Sequence, residues 1–148
     1  MKKTMRAVCL GLFLTVFLTP CYAHHMALVV NKSNNIENLS SLHLAKIFKL
    51  ETKKWADGSN VVLVLHKSSK DELETLARLN KKTPDEMRSI LDAHKDEIRR
   101  VDTDAEVIDA VTAIPGAVGF VYERSINDRI RVVKIDGRLP LEAGYLPH

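Results

Sequence analysis

Residues 61–79, VVLVLHKSSKDELETLARL, set the character of the chain. Val61 to Leu65 is an unbroken apolar run of strand length, which predicts a strand buried on both faces. Ser68 and Ser69 stand three residues before Asp71 and Glu72, two overlapping capping boxes at a helix start. Behind them Leu73, Leu76, Ala77 and Leu79 keep a helical spacing. A buried strand leading straight into a capped helix is a unit of α/β architecture.

The same alternation extends outward in both directions. Upstream, Met26 to Asn31 (MALVVN) reads as a short strand closed by the turn Lys32-Ser33-Asn34-Asn35. Ser40 or Ser41 caps a helix carrying Leu42, Ala45 and Ile47-Phe48, and Asp57-Gly58 marks a sharp turn. Downstream, Thr83-Pro84-Asp85-Glu86 combines a cap, a first-turn proline and a box glutamate. Its helix should hold Met87, Ile90, Leu91 and His94 and run to about Ile98. Thr103-Asp104-Ala105-Glu106 repeats the signature for a helix through Val107, Ile108 and Val111. Pro115-Gly116 ends that helix, Ala117 to Tyr122 (AVGFVY) reads as a further buried strand, and Ile130 to Ile135 as an edge strand or hairpin partner. The expected fold is α/β, a single three-layer lobe with a mostly parallel or mixed sheet flanked by helices.

The amino terminus reads differently. Lys2, Lys3 and Arg6 precede the apolar run Ala7 to Leu18, and Cys21-Tyr22-Ala23 places small residues where a signal peptidase cuts. Residues 1–23 are therefore read as a secretory signal and 24–148 as the mature domain, bound for the periplasm. Acylation of Cys21 is the lesser reading, because Pro20 suits a lipoprotein site poorly and Ala23 offers an ordinary one. Three of the 22 Lys and Arg residues lie in this leader, and none of the 19 Asp and Glu. The mature domain thus has 19 of each sign and no general attraction for nucleic acid or an anionic membrane. Cys9 and Cys21 also lie in the leader, so the mature domain is expected to fold on its apolar core without a disulfide.

The order Val29-Val30-Asn31-Lys32-Ser33, Leu42-x-x-Ala45-Lys46-Ile47-Phe48, Trp55-Ala56-Asp57-Gly58, Val61 to Leu65, Ser68-Ser69, Asp104-Ala105-Glu106-Val107 and Pro115-Gly116-Ala117-Val118-Gly119-Phe120-Val121 resembles the phosphate-binding-protein-like members of the type 2 periplasmic solute-binding superfamily. Full-length members have two α/β lobes with the ligand between them, and this chain resembles small exported variants that keep one lobe. The resemblance implies that the loop after the second strand receives an oxyanion with an arginine and serines at a helix start. The matching residues are His66, Lys67, Ser68, Ser69 and Lys70: the serines are present and the arginine is not. Asp71 and Glu72 would oppose an anion in that first turn. A helix terminus contributes about 0.3–1 kcal/mol toward a nearby charge, against about 8 kcal/mol for micromolar affinity. Further donors are required, and Ser33 and Asn34 are the candidates in the chain, unless a second lobe supplies them. Ser68 and Ser69 also have a plain reading as helix caps.

Other chemistry finds less support. A copper site at His24 and His25 needs a second imidazole from His43, His66, His94 or His148, and no spacing brings one there. No metal or other cofactor is expected. The sequence has no G-x-S-x-G elbow, H-E-x-x-H or P-loop, so no enzyme is expected. Asp102, Asp104 and Glu106 lack the glycine of a calcium loop. Trp55 reads as a core edge, His94 as a packed histidine, and Lys95-Asp96-Glu97-Arg99-Arg100 as a solvated helix face. Two functions follow from the resemblance: binding phosphate or another small oxyanion for an ABC permease, or a non-enzymatic module docking onto a periplasmic or membrane sensor protein. In either case a homodimer would supply a second lobe.

Overall fold

A computed structural model describes residues 25–147. The leader read at 1–23 lies outside the described residues. Eleven elements follow in chain order: β1 (Met26–Asn31), β2 (Asn38–Leu39), α1 (Ser41–Phe48), β3 (Val62–His66), α2 (Lys70–Leu79), α3 (Pro84–Ala93), β4 (Ile98–Val101), α4 (Asp104–Ala113), β5 (Ala117–Tyr122), β6 (Ile130–Val132) and β7 (Lys134–Ile135). The main sheet has the order β4-β3-β5-β1-β6, and β2 pairs with β7 in a small second sheet. β4, β3 and β5 are parallel, whereas β1 runs antiparallel to both neighbours, β5 and β6. The lobe is thus three-layered with a mixed sheet.

Strand alternation feeds two cores. Leu28, Val30, Leu63, Leu65, Val118 and Phe120 pack with Leu44, Phe48, Leu76, Met87 and Leu91 from α1, α2 and α3. Ala27, Val29, Val64 and Val121 pack with Val107, Ile108 and Val111 of α4. Strands covered on both faces become continuous apolar runs, as 61–65 and 117–121 are. Close approach of α4 depends on Gly119, where a Cβ would lie 2.8 Å from the Val64 carbonyl oxygen and 3.0 Å from Val107 Cγ1.

The caps fall at positions the sequence offers, except that Ser69 alone caps α2 and the box read at Ser68 with Asp71 does not form, since the Asp71 carboxylate accepts from Tyr122 OH. Ser40, Ser69, Thr83 and Thr103 each accept the backbone N–H of the residue three further on. Thr83 with Glu86 and Thr103 with Glu106 form reciprocal boxes. The box read at Ser69 is only half made. Glu72 gives its N–H to Ser69 Oγ at 3.2 Å, but its carboxylate turns inward to His66. Two hydrogen bonds from one residue outweigh a single return bond to a cap.

α3 ends at Ala93, short of the expected Ile98. His94 is its C-cap, part-exposed with Nδ1 2.9 Å from Glu97 Oε1, rather than packed in the core. Lys95–Glu97 form a 3₁₀ turn, and Ile98–Val101 pair in parallel with β3, Leu63 facing Ile98 and His66 facing Val101. The segment read as a solvated helix face is therefore a turn and an edge strand. Ile98 lies seven residues beyond Leu91, so a helical spacing conceals the strand.

Trp55 is buried, and its indole N–H donates to the Gly116 carbonyl at 2.9 Å, which fits the core-edge reading. The chain beyond β7 folds back over β1. Tyr145 is buried, and its phenol accepts the Leu28 N–H at 3.0 Å and donates to the Val133 carbonyl at 2.7 Å. One hydroxyl thus replaces a rung of the ladder where the chain leaves β6. Burial pushes that phenol's pKa upward, so it stays protonated across the working pH range.

Candidate functional site

Parallel strands β3 and β5 end on the same side of the sheet, at His66 and Tyr122. The chain turns from β3 into α2 and from β4 into α4 on that side, so two capped helix starts meet there. Between them lies a cleft of about 600 Å³ lined by Ser68, Ser69, Lys70, Thr103, Tyr122 and Arg124, among others. The first N–H groups of any helix lack intrahelical acceptors and carry a partial positive charge. Here two such ends share one concavity at the carboxyl ends of parallel strands, where α/β folds place their ligands.

The cleft is rich in carboxylates, and each acid has a donor. Tyr122 OH donates to Asp71 Oδ2 at 2.9 Å, and Lys67 Nζ lies 2.7 Å from Asp102 Oδ2. Asp104 Oδ2 accepts the Tyr122 N–H at 3.0 Å. His66 sits between Glu72 and Asp104, its Nδ1 2.8 Å from Glu72 Oε2 and its Nε2 3.0 Å from Asp104 Oδ1. The hydrogen bond to Glu72 raises the His66 pKa above its ordinary 6.5, against the effect of burial, and the charges on Glu72 and Asp104 add to the rise. Burial pushes the Glu72 carboxyl upward, while His66 pulls it back. The Arg124 guanidinium lies 5.2 Å from the centre of the Tyr122 ring.

His66, Ser68, Ser69 and Lys70 line this cleft, while Lys67 turns to Asp102. Ser33 and Asn34 do not join them. β1 pairs Met26 with Tyr122 and Val30 with Val118, so the turn after Asn31 lies at the opposite end of the sheet. That separation is roughly 15 Å along a five-residue strand. There Ser33 donates its N–H and its hydroxyl to Asn31 Oδ1, and Asn34 Oδ1 accepts the Ile36 N–H. Asn31 in turn donates to the carbonyls of Val111 and Thr112, tying that turn to the end of α4. Sequence reasoning missed Asp104, Tyr122 and Arg124 as neighbours of the serine loop. Tyr122 was accessible in principle, because it closes a buried strand parallel to β3; nothing marks Arg124.

The arrangement is not that of an acid–base catalyst. Both nitrogens of His66 are committed to carboxylates, so none is left to activate a hydroxyl. Nor do Glu72 and Asp104 converge on one point, since they approach opposite sides of the ring. Among the described residues no group of three His, Cys, Asp or Glu side chains could hold a metal ion.

This lobe has counterparts among solved structures. An ABC-type phosphate transport receptor from Vibrio cholerae superimposes with a TM-score of 0.63 at 17% identity, over 78% of this chain and 48% of that one. PstS from Borrelia burgdorferi gives 0.63 at 20% identity, over 78% and 49%. The fold is periplasmic-binding-protein type 2-like. A phosphate binding protein from Stenotrophomonas maltophilia gives 0.57 at 18% identity, over 79% and 40%. The chain spans about half the length, or less, of each of these proteins. No family model matches the sequence, and no curated protein matches it. Among the described residues no helix of the lobe is long and apolar enough to cross a membrane.

Proposed function

We propose that this chain is an exported solute-binding lobe that takes phosphate or another small oxyanion at the cleft between α2 and α4 and serves an ABC-type permease. The reading rests above all on the convergence of two capped helix starts on one concavity. Ser68, Ser69 and Lys70 line it from one side and Arg124 from the other. Neighbouring donors hold the carboxylates of Asp71, Asp102 and Asp104, which lessens their repulsion toward an anion. On this reading residues 1–23 serve as the export signal and the domain works in the periplasm. The three similar proteins named above are described as a phosphate transport receptor, PstS and a phosphate binding protein, and the half-length match leaves room for a second wall to the cleft. A second copy of the chain would provide one.

Calorimetric titration with phosphate and then sulfate at low salt, with the mass in solution measured alongside, tests the proposal. Micromolar phosphate binding is the expected result, and absence of heat from a folded monomer refutes it. The second reading, a lobe that docks onto a periplasmic or membrane sensor protein, draws on the acid-rich rim of the same cleft. It predicts no anion heat and retention of a protein partner.

A further inference from the structure

The contacts of His66 contain a proton count. A neutral imidazole carries one N–H and one bare nitrogen. Both nitrogens here lie within 3.0 Å of carboxylate oxygens, and a bare nitrogen against an ionised carboxylate would set two lone pairs face to face. His66, Glu72 and Asp104 therefore hold two protons between them. They are an imidazolium between two carboxylates, or a neutral ring beside a protonated acid. The remaining oxygens are also occupied, since Glu72 Oε1 accepts the His66 N–H at 3.0 Å and Asp104 Oδ2 accepts that of Tyr122. Neither acid can swing away from the ring without losing a second bond.

These bonds join three elements, because Glu72 stands in the first turn of α2, Asp104 opens α4 and His66 ends β3. We propose that His66 is a proton-operated clasp: with two protons on the triad it fixes the two helix starts against each other beneath the cleft, and loss of one proton releases them and weakens the hold on an anion. The clasp stands on its own geometry, and its coupling to anion affinity rests on the function proposed above. His66 acts as a positioning residue that also contributes positive charge.

The charged groups around the ring favour this behaviour. From α2 come Glu72, together with Lys70 and with Asp71, which is bonded to Tyr122 OH. Arg100 of β4 acts on Glu72 and holds its carboxyl down. The turn before α4 brings Asp102, matched by Lys67, and beyond β5 stands Arg124. The acids that touch the ring are the two that favour its charged form. The folded state thus keeps a proton that the unfolded chain releases near 6.5. The clasp's contribution is complete below that pH and is lost as pH rises through the raised folded value.

Long-range ¹H–¹⁵N NMR of the histidine rings, followed from about pH 5 to about pH 9, reads the count directly. Expected are two protonated nitrogens on His66 at neutral pH. The unfolding equilibrium constant should rise by up to about tenfold per pH unit between about 6.5 and the His66 midpoint and then level off. His66→Asn should flatten that rise. Should it not fold, Glu72→Gln lowers the His66 midpoint by removing the charge beside it. A single N–H on the ring at neutral pH with Glu72 and Asp104 both ionised, read from their carboxyl ¹³C shifts, or a slope unchanged in the folded variants, overturns the clasp. Phosphate titrations of wild type and Glu72→Gln at each pH test the coupling, since phosphate's own protonation cancels in the ratio of dissociation constants. A ratio that varies around the His66 midpoint supports it, and a constant ratio overturns it. No phosphate heat at any pH, with the His66 titration as expected, overturns the anion proposal and its coupling while upholding the clasp.

Discussion

Replacing Tyr145 by Phe should remove one oxygen atom and leave two buried groups without a partner. The Leu28 N–H and the Val133 carbonyl meet only through that phenol, at 3.0 and 2.7 Å. The adjoining rung, Val133 N–H to the Leu28 carbonyl at 2.9 Å, remains. The apolar ring keeps its place, so the loss is almost wholly polar. An orphaned buried donor or acceptor costs about 1–3 kcal/mol. With some relaxation of the C-terminal segment, the expected destabilisation is about 2–4 kcal/mol, a large part of the ~5–15 kcal/mol typical of a domain. The melting temperature should fall by roughly 10 °C. Urea unfolding followed by the fluorescence of Trp55 is a suitable assay, because that residue is the sole tryptophan and is buried. The midpoint should move with an unchanged slope. Tyr122→Phe is the internal control: its phenol meets Asp71 in a partly exposed setting, and the loss should stay near 1 kcal/mol. A Tyr145→Phe variant as stable as that control would refute the bridging role of the phenol.

Gly116→Ala should be more damaging than its single methyl suggests, because a Cβ there overlaps the Asn60 carbonyl oxygen. The Trp55 indole and Val62 N–H both bond to the Gly116 carbonyl. A cost above about 2 kcal/mol, with a shifted Trp55 emission, is expected in denaturant titration. Ser69→Ala should lower stability by about 1 kcal/mol through the lost cap and should also weaken phosphate binding in calorimetry. Lost stability with unchanged affinity would mark Ser69 as a cap alone. Lys67→Ala removes an exposed ion pair with Asp102 and should change thermal stability by less than about 1 kcal/mol.

Much of this molecule was legible because local and global preferences agree. The boxes at Thr83 and Thr103 form as their spacing requires, and the apolar runs that include 62–65 and 117–121 are strands covered on both faces. Where several partners compete, the sequence is silent. Ile98 satisfies a helical interval and a strand equally, and the open edge of β3 decides between them. Glu72 has a box position beside Ser69, but only the fold brings His66 within reach of its carboxylate. The candidate site divided for a topological reason. Ser33 and Asn34 follow a strand that runs antiparallel to β5, and nothing in the six residues MALVVN states a direction. The C-terminal segment shows no periodic pattern: its hold on the sheet comes from two adjacent buried side chains, Tyr145 and Leu146, and from the Tyr145 hydroxyl.

The place of β1 in the sheet bears on how the chain comes together. This is the first of the described strands to be made, yet its partners are β5 and β6, some ninety residues and more further along. Until those segments exist, MALVVN has two bare edges and two uncovered apolar faces. Neither core can close early, because Leu28 and Val30 belong to one and Ala27 and Val29 to the other. Closing so distant a contact slows folding relative to a locally paired chain. In a growing chain of this sequence β1 therefore lacks its sheet partners until β5 and β6 have been added, and during that interval it depends on whatever shields it from pairing elsewhere.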